Sequence, residues 1–223
     1  MEIKIYTADV GPLTDEKLFR ALYDRVSAGR REKTARMRFE KDKRLSLGAG
    51  ALLETALAAE GVDDFTMAEG QNRKPFLAGR PEIKFNLSHS GTKVLCALSG
   101  CDIGCDVEAI KEIDMGIARR FFSAGEYETL LRCPAGESRN TLFFRIWTCK
   151  ESFMKATGLG FALPLGDFCV TLEGDTPCVR QRVDGRTYYF REFDRGDGYR
   201  YAVCSAERPL DHTEMTEVFF DQL

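Results

Sequence analysis

Two carboxylates stand two residues apart in Ile103-Gly-Cys-Asp-Val-Glu108. On a strand, alternate residues project from one face, so Asp106 and Glu108 can present oxygens to one point. Such ligands suit Mg²⁺, which keeps several waters and completes its octahedron on substrate phosphate; the plain alternative is a solvated strand face. A second grouping, Trp147-Thr-Cys-Lys-Glu-Ser-Phe-Met-Lys155, puts Trp147, Glu151 and Lys155 at four-residue steps on one helical face, with Lys150 adjacent. Glu151 there is either half of a weak surface pair with Lys155, or a third metal ligand with Lys150 and Lys155 as cations for a phosphate. A third, Asn86-Leu-Ser-His-Ser-Gly91, sets His89 in a serine-rich turn. Ser88, His89, Ser90 and turn amides make an anion site, unless His89 only satisfies its own turn. Ser88 and His89 are neighbours on opposite strand faces, which argues against a protease dyad, and no nucleophile-elbow motif is present.

The elements that must hold these groups are readable from periodicity. Met1 to Tyr6 alternates as a strand, and Leu18, Leu22 and Val26 mark an amphipathic helix over 15–26. From Arg30 to Arg44 eight Lys or Arg residues face three acids, the one basic concentration in the chain. It leads into a second apolar helical face, Leu45 to Leu57, that ends near Gly61. Residues 83–87 read as a strand, 88–91 as a turn, and 94–98 and 103–107 as consecutive strands of a hairpin. Ser123 and Glu126 form a capping box, and 138–157 is a long helix stopped by Gly158. Strand-like runs follow at 168–172, 188–193, 199–204 and 218–220. The pattern predicts an α+β fold of two similar halves, 1–101 and 102–223, without a repeat visible at residue level.

Composition narrows the function classes. The 223 residues are 43% hydrophobic with 16 Phe, enough for a real core. The net charge of −3 lacks the broad positive field of a nucleic-acid coat. No window reaches the roughly 18 to 20 apolar residues that span a bilayer, and no secretory signal is visible, so a cytoplasmic protein is expected. Eight scattered cysteines without a CxxC pair fit buried reduced thiols; a zinc site at Cys96, Cys101 and Cys105 has irregular spacing and only His89 and His212 to assist.

Taken together, Asn86-Leu-Ser-His-Ser90, Ile103-Gly-Cys-Asp-Val-Glu108, Arg120-Phe-Phe-Ser123 with Glu126, and Trp147-x-x-Lys-Glu-x-x-x-Lys155 resemble, in order and spacing, the 4'-phosphopantetheinyl transferases of the surfactin-synthetase type. The resemblance covers nearly the whole chain. It implies a pseudo-twofold pair of α+β halves with coenzyme A between them, and a monomer. It also implies Mg²⁺-dependent transfer of phosphopantetheine to a serine of an acyl or peptidyl carrier protein, leaving adenosine 3',5'-bisphosphate. Carried over by motif, Asp106, Glu108 and Glu151 would be metal ligands, Glu151 also the base, and Lys155 a partner of the reacting phosphate. Ser88 and His89 would contact coenzyme A phosphates, and Arg30, Lys33, Arg44, Lys74 and Lys150 resemble its other basic contacts. The chain departs from its relatives in having Arg73-Lys74-Pro75 for Gly-Lys-Pro, Trp147-Thr148 for Trp-Ser, and a basic stretch one residue shorter.

Two rival readings use the same residues: a non-catalytic coenzyme A or nucleotide-binding module, and a metal-dependent phosphohydrolase. Retention of all three acids with Lys155 argues against the first. The lack of a second ligand cluster for a paired metal argues against the second.

Overall fold

The computed structural model describes residues 1–172, 174 and 176–223. The first half runs β1 (Lys4–Asp9), α1 (Glu16–Arg25), α2 (Ala28–Ala35), α3 (Glu40–Ala59), β2 (Thr66–Glu69), β3 (Pro75–Ala78), β4 (Lys84–Ser90) and β5 (Lys93–Ser99). The second runs β6 (Ile103–Ala109), α4 (Met115–Phe121), α5 (Ala124–Arg132), α6 (Glu137–Thr157), β7 (Cys169–Thr171), β8 (Cys178–Arg180), β9 (Tyr188–Phe193) and β10 (Tyr199–Ala206), before β11 (Met215–Glu217).

The halves repeat in topology. In each, a strand is followed by helices, a short two-stranded sheet (β2-β3, β7-β8) and then two further strands, the last of which is central: β1-β5-β4 in one sheet, β6-β10-β9 in the other. One long helix covers the outer face of each sheet. Leu52 and Leu57 of α3 pack with Val94, Cys96 and Leu98 of β5, while Cys149 and Phe153 of α6 pack with Phe190 and Cys204. The inner faces meet through Ile5, Leu95 and Ala97 from one sheet and Ile103, Cys105, Val107 and Val203 from the other. β5 is therefore buried on both faces, which is why its sequence is an unbroken apolar run. β6 alternates instead: Ile103, Cys105 and Val107 face the other sheet, leaving Gly104, Asp106 and Glu108 on the α6 side.

Gly104 decides how close α6 comes. A Cβ there would overlap the Ser152 carbonyl and the Ala156 amide, so only glycine lets this helix lie on β6. That approach brings Glu151 and Lys155 over the carboxylate strand. The helix stops where Gly158 takes a left-handed conformation, φ 74°. The capping box of Ser123 and Glu126 starts α5 as expected.

Several expectations are corrected. β5 and β6 are not a hairpin, because the chain passes between sheets at 100–102: β5 pairs with β1 and β4, and β6 with β10. Residues 88–90 continue β4 rather than turning, and the reversal falls at Gly91, φ 59°. The last strand is 215–217, and 220–222 is a 3-10 turn whose Phe220 fills the first core. β11 pairs in parallel with β1, so the tail of the second half returns to the first sheet. Among the described residues no helix is long and apolar enough to cross a membrane.

Candidate active site at the seam of the two halves

On one side β6 pairs with β10; on the other its outward amides meet side chains of β4. Cys105 N donates to Asn86 Oδ1 (2.8 Å), Val107 N to Ser88 Oγ (3.3 Å) and Ala109 N to Ser90 Oγ (3.2 Å). Three alternate side chains thus stand in for a backbone ladder along an edge whose amides would otherwise be orphaned. The same hydroxyls donate to the carboxylates between those amides: Ser88 Oγ to Asp106 Oδ1 (2.8 Å) and Ser90 Oγ to Glu108 Oε2 (2.7 Å).

Lys155 reaches into this arrangement from α6. Its Nζ donates to Asp106 Oδ1 (2.6 Å), Ser88 Oγ (3.1 Å) and the Cys105 carbonyl (3.1 Å). Burial works against its charge, but the Asp106 carboxylate and its neighbours outweigh that and raise the ammonium above its ordinary pKa. Asp106 is buried, and its second oxygen, Oδ2, has no hydrogen-bond partner. Burial raises the Glu151 carboxyl, and the negative charges of Asp106 and Glu108 raise it further against the pull of Lys155. Glu108 is likewise raised by burial and by Asp106, against its Ser90 hydrogen bond. Three carboxylates therefore crowd one ammonium. Among the described residues no three acidic, thiol or imidazole groups are gathered tightly enough to form a ready metal cage.

His89 lies exposed on the opposite face of β4, its pKa lowered by desolvation and by the Lys155 ammonium. Arg44, half-buried on α3, makes no hydrogen bond or ion pair among the described residues. Arg30 lies across Gly50 and donates to the Ser46 carbonyl (3.2 Å). With Lys33, Arg36, Phe65 and Met67 it lines a groove of about 570 Å³. Lys74 donates to the Lys155 carbonyl (2.6 Å) at the end of α6 and lines a smaller cavity of about 280 Å³ that shares Pro75 with that groove. Desolvation lowers the pKa of Arg30, Lys33 and Lys74 alike.

One expected phosphate contact, Lys150, is corrected, and a second, Ser88, is engaged within the protein. Lys150 is fully buried, its ammonium held by both Glu126 oxygens (2.7 and 2.8 Å) and the Phe168 carbonyl (2.8 Å), over the Phe168 ring. All three donors are used, and no phosphate can reach it. The Ser88 hydroxyl is buried too, with its donor on Asp106 and both acceptor positions taken by Val107 N and Lys155. Its contacts within the protein are thus to Asp106, Lys155 and the β6 backbone. Sequence reasoning missed Asn86 and Ser90 as ladder residues and Glu126 as the Lys150 partner. The period-two polar pattern of 86, 88 and 90 was the available signal for the first two. All eight cysteines are free; burial pushes the Cys105 thiol up to about 12 and raises Cys96, Cys149 and Cys204, so these are inert core thiols.

Comparison with known proteins agrees with this layout. Residues 102–204 match the model of the 4'-phosphopantetheinyl transferase superfamily. A 4'-phosphopantetheinyl transferase of Bacillus subtilis is 37% identical over 185 residues, 81% of this chain and 82% of that protein. The 4'-phosphopantetheinyl transferase Sfp of Bacillus subtilis strain 168 is 33% identical over 202 residues, 89% of each chain. The 4'-phosphopantetheinyl transferase psf-1 of Bacillus pumilus is 33% identical over 221 residues, 96% of this chain and 94% of that one. Similarity of that depth, running through both halves and the seam between them, places the chain in the 4'-phosphopantetheinyl transferase superfamily as an enzyme of that family.

Proposed function

We propose that this enzyme transfers 4'-phosphopantetheine from coenzyme A to a serine hydroxyl of an acyl or peptidyl carrier protein, with Mg²⁺, releasing adenosine 3',5'-bisphosphate. The observation that carries the reading is Asp106, with Oδ1 held by Ser88 and Lys155 and a buried, unpartnered Oδ2 beside two further carboxylates. A buried carboxylate oxygen left without a donor is costly unless a cation takes it. The donor set is all oxygen and negatively charged, which fits Mg²⁺. Asp106, Glu108 and Glu151 would hold the ion, which when bound neutralises the pyrophosphate and polarises the phosphorus under attack.

The chain's own residues do the rest. Lys155, kept cationic by Asp106, sets a positive charge beside the reacting phosphate. Glu151, whose carboxyl is raised by burial and by Asp106 and Glu108, takes the proton of the attacking serine as the serine oxygen bonds to phosphorus and the pyrophosphate bridge breaks. His89 and Arg44 carry the more distant phosphate of coenzyme A, and Arg30, Lys33 and Lys74 supply the remaining positive contacts. Half 1–101 thus gives most of the substrate cations and half 102–223 the carboxylates, with coenzyme A across the seam. The enzyme works as a monomer in the cytoplasm.

The test is incubation with coenzyme A, Mg²⁺ and a panel of apo carrier proteins from fatty-acid, polyketide and peptide synthases, followed by intact mass. One added phosphopantetheine per carrier and free adenosine bisphosphate is expected. Coenzyme A binding without modification of any carrier would leave a binding module in place of a transferase.

A further inference from the structure

We infer that Ser90 is a positioning residue for the metal centre: it aims the Glu108 carboxylate, as the last rung of the ladder through which β4 fixes β6. This rests on the reading of Asp106, Glu108 and Glu151 as the metal ligands. The Ser90 hydroxyl makes the single hydrogen bond that the Glu108 carboxylate accepts among the described residues, 2.7 Å to Oε2. It also accepts from Ala109 N at 3.2 Å, so one hydroxyl ties the carboxylate to the backbone beside it. Ser88 does the same two residues earlier, donating to Asp106 and accepting from Val107 N. The device is repeated at the period of the strand, with Asn86 as a third rung on Cys105 N.

The base of the rung is itself held. Ser90 precedes Gly91, at φ 59°, and a Cβ at Gly91 would meet the hydroxyl of Tyr199 from β10. That hydroxyl accepts from Thr92 N at 3.1 Å. The turn carrying Ser90 is therefore clamped by the same half of the molecule that bears Glu108. With Oε2 occupied by Ser90, Oε1 is the oxygen left for a cation.

The experiment uses the full chain and Mn²⁺ as the probe, titrated by electron paramagnetic resonance without substrate, with Asp106→Ala marking complete loss of the site. Ser90→Ala should bind Mn²⁺ about 10- to 100-fold more weakly, the usual effect of removing a group that orients a metal ligand. The Mg²⁺ concentration for half-maximal transfer should rise by the same factor. Ser90→Thr, which keeps the hydroxyl, should restore both. Ser90→Cys, of nearly the same volume but a weak donor, should fall between and serves if Ser90→Ala does not fold. A serine of purely structural value would lower the melting temperature and leave the Mn²⁺ midpoint alone. Parent-like Mn²⁺ binding in Ser90→Ala and Ser90→Cys, with binding lost in Asp106→Ala, would overturn the positioning role only. Binding that Asp106→Ala leaves unchanged would overturn the metal reading and the positioning role together.

Discussion

Two lysines five residues apart on α6 each meet a buried carboxylate, and the surroundings of the two pairs differ in one respect. Around Lys150 every valence is closed: Glu126 accepts from Lys150, Ser123 N and Val170 N, and the ammonium spends its third donor on Phe168 O. Around Lys155 the account stays open, with Asp106 Oδ2 unpartnered and Glu108 and Glu151 crowding the same charge. A saturated buried ion pair welds α5, α6 and the strand after them; an unsaturated one is poised for a ligand. Burial alone does not separate the two roles, since Lys150, the more buried, is the structural one.

That contrast can be broken by mutation. The largest effect should come from Asp106→Ala, which removes the carboxylate carrying the free oxygen: transfer should drop by about 10³-fold or more, a few kcal/mol of lost charge stabilisation. Circular dichroism should show the fold intact. Wild-type transfer with unchanged Mg²⁺ dependence would remove Asp106 from the site.

On the closed side, Glu126→Ala strands the Lys150 ammonium and should cost about 3 to 5 kcal/mol of stability in denaturant titration. Transfer per folded molecule should persist, and a loss of transfer at full stability would refute the division of roles.

Glu151→Gln keeps shape and a carbonyl ligand but loses charge and proton affinity. Coenzyme A should still bind at saturating Mg²⁺, while single-turnover transfer falls at least about 10²-fold. Rescue to the parent rate by added Mg²⁺ would make Glu151 a ligand alone and shift the proton to water.

The smallest effect is expected at the proposed phosphate contacts away from the broken bond. His89→Ala should weaken coenzyme A by roughly 10- to 100-fold, about 1.5 to 3 kcal/mol for a charge-assisted contact. Calorimetry with dephospho-coenzyme A is the control: discrimination equal to the parent's would show that His89 does not serve the 3'-phosphate.

The residues by themselves determined the local events. The helices ending at Gly158 and starting at Ser123, the strands at 188–193 and 199–206, and the pairing of Asp106 with Glu108 on one face follow from periodicity and capping chemistry within a few positions. Only the tertiary structure decided which strands are neighbours. The apolar runs on either side of Ser99-Gly100 look alike, yet they lie in different sheets, because strand pairing depends on long-range amides that no local pattern encodes. It also decided which of the candidate cations are available. Lys150 and Lys155 have the same chemistry and share a helix, and it took Glu126 from α5 and Phe168 from beyond the helix to close one, and Ser88 and Asp106 from two other strands to leave the other beside an unpaired oxygen.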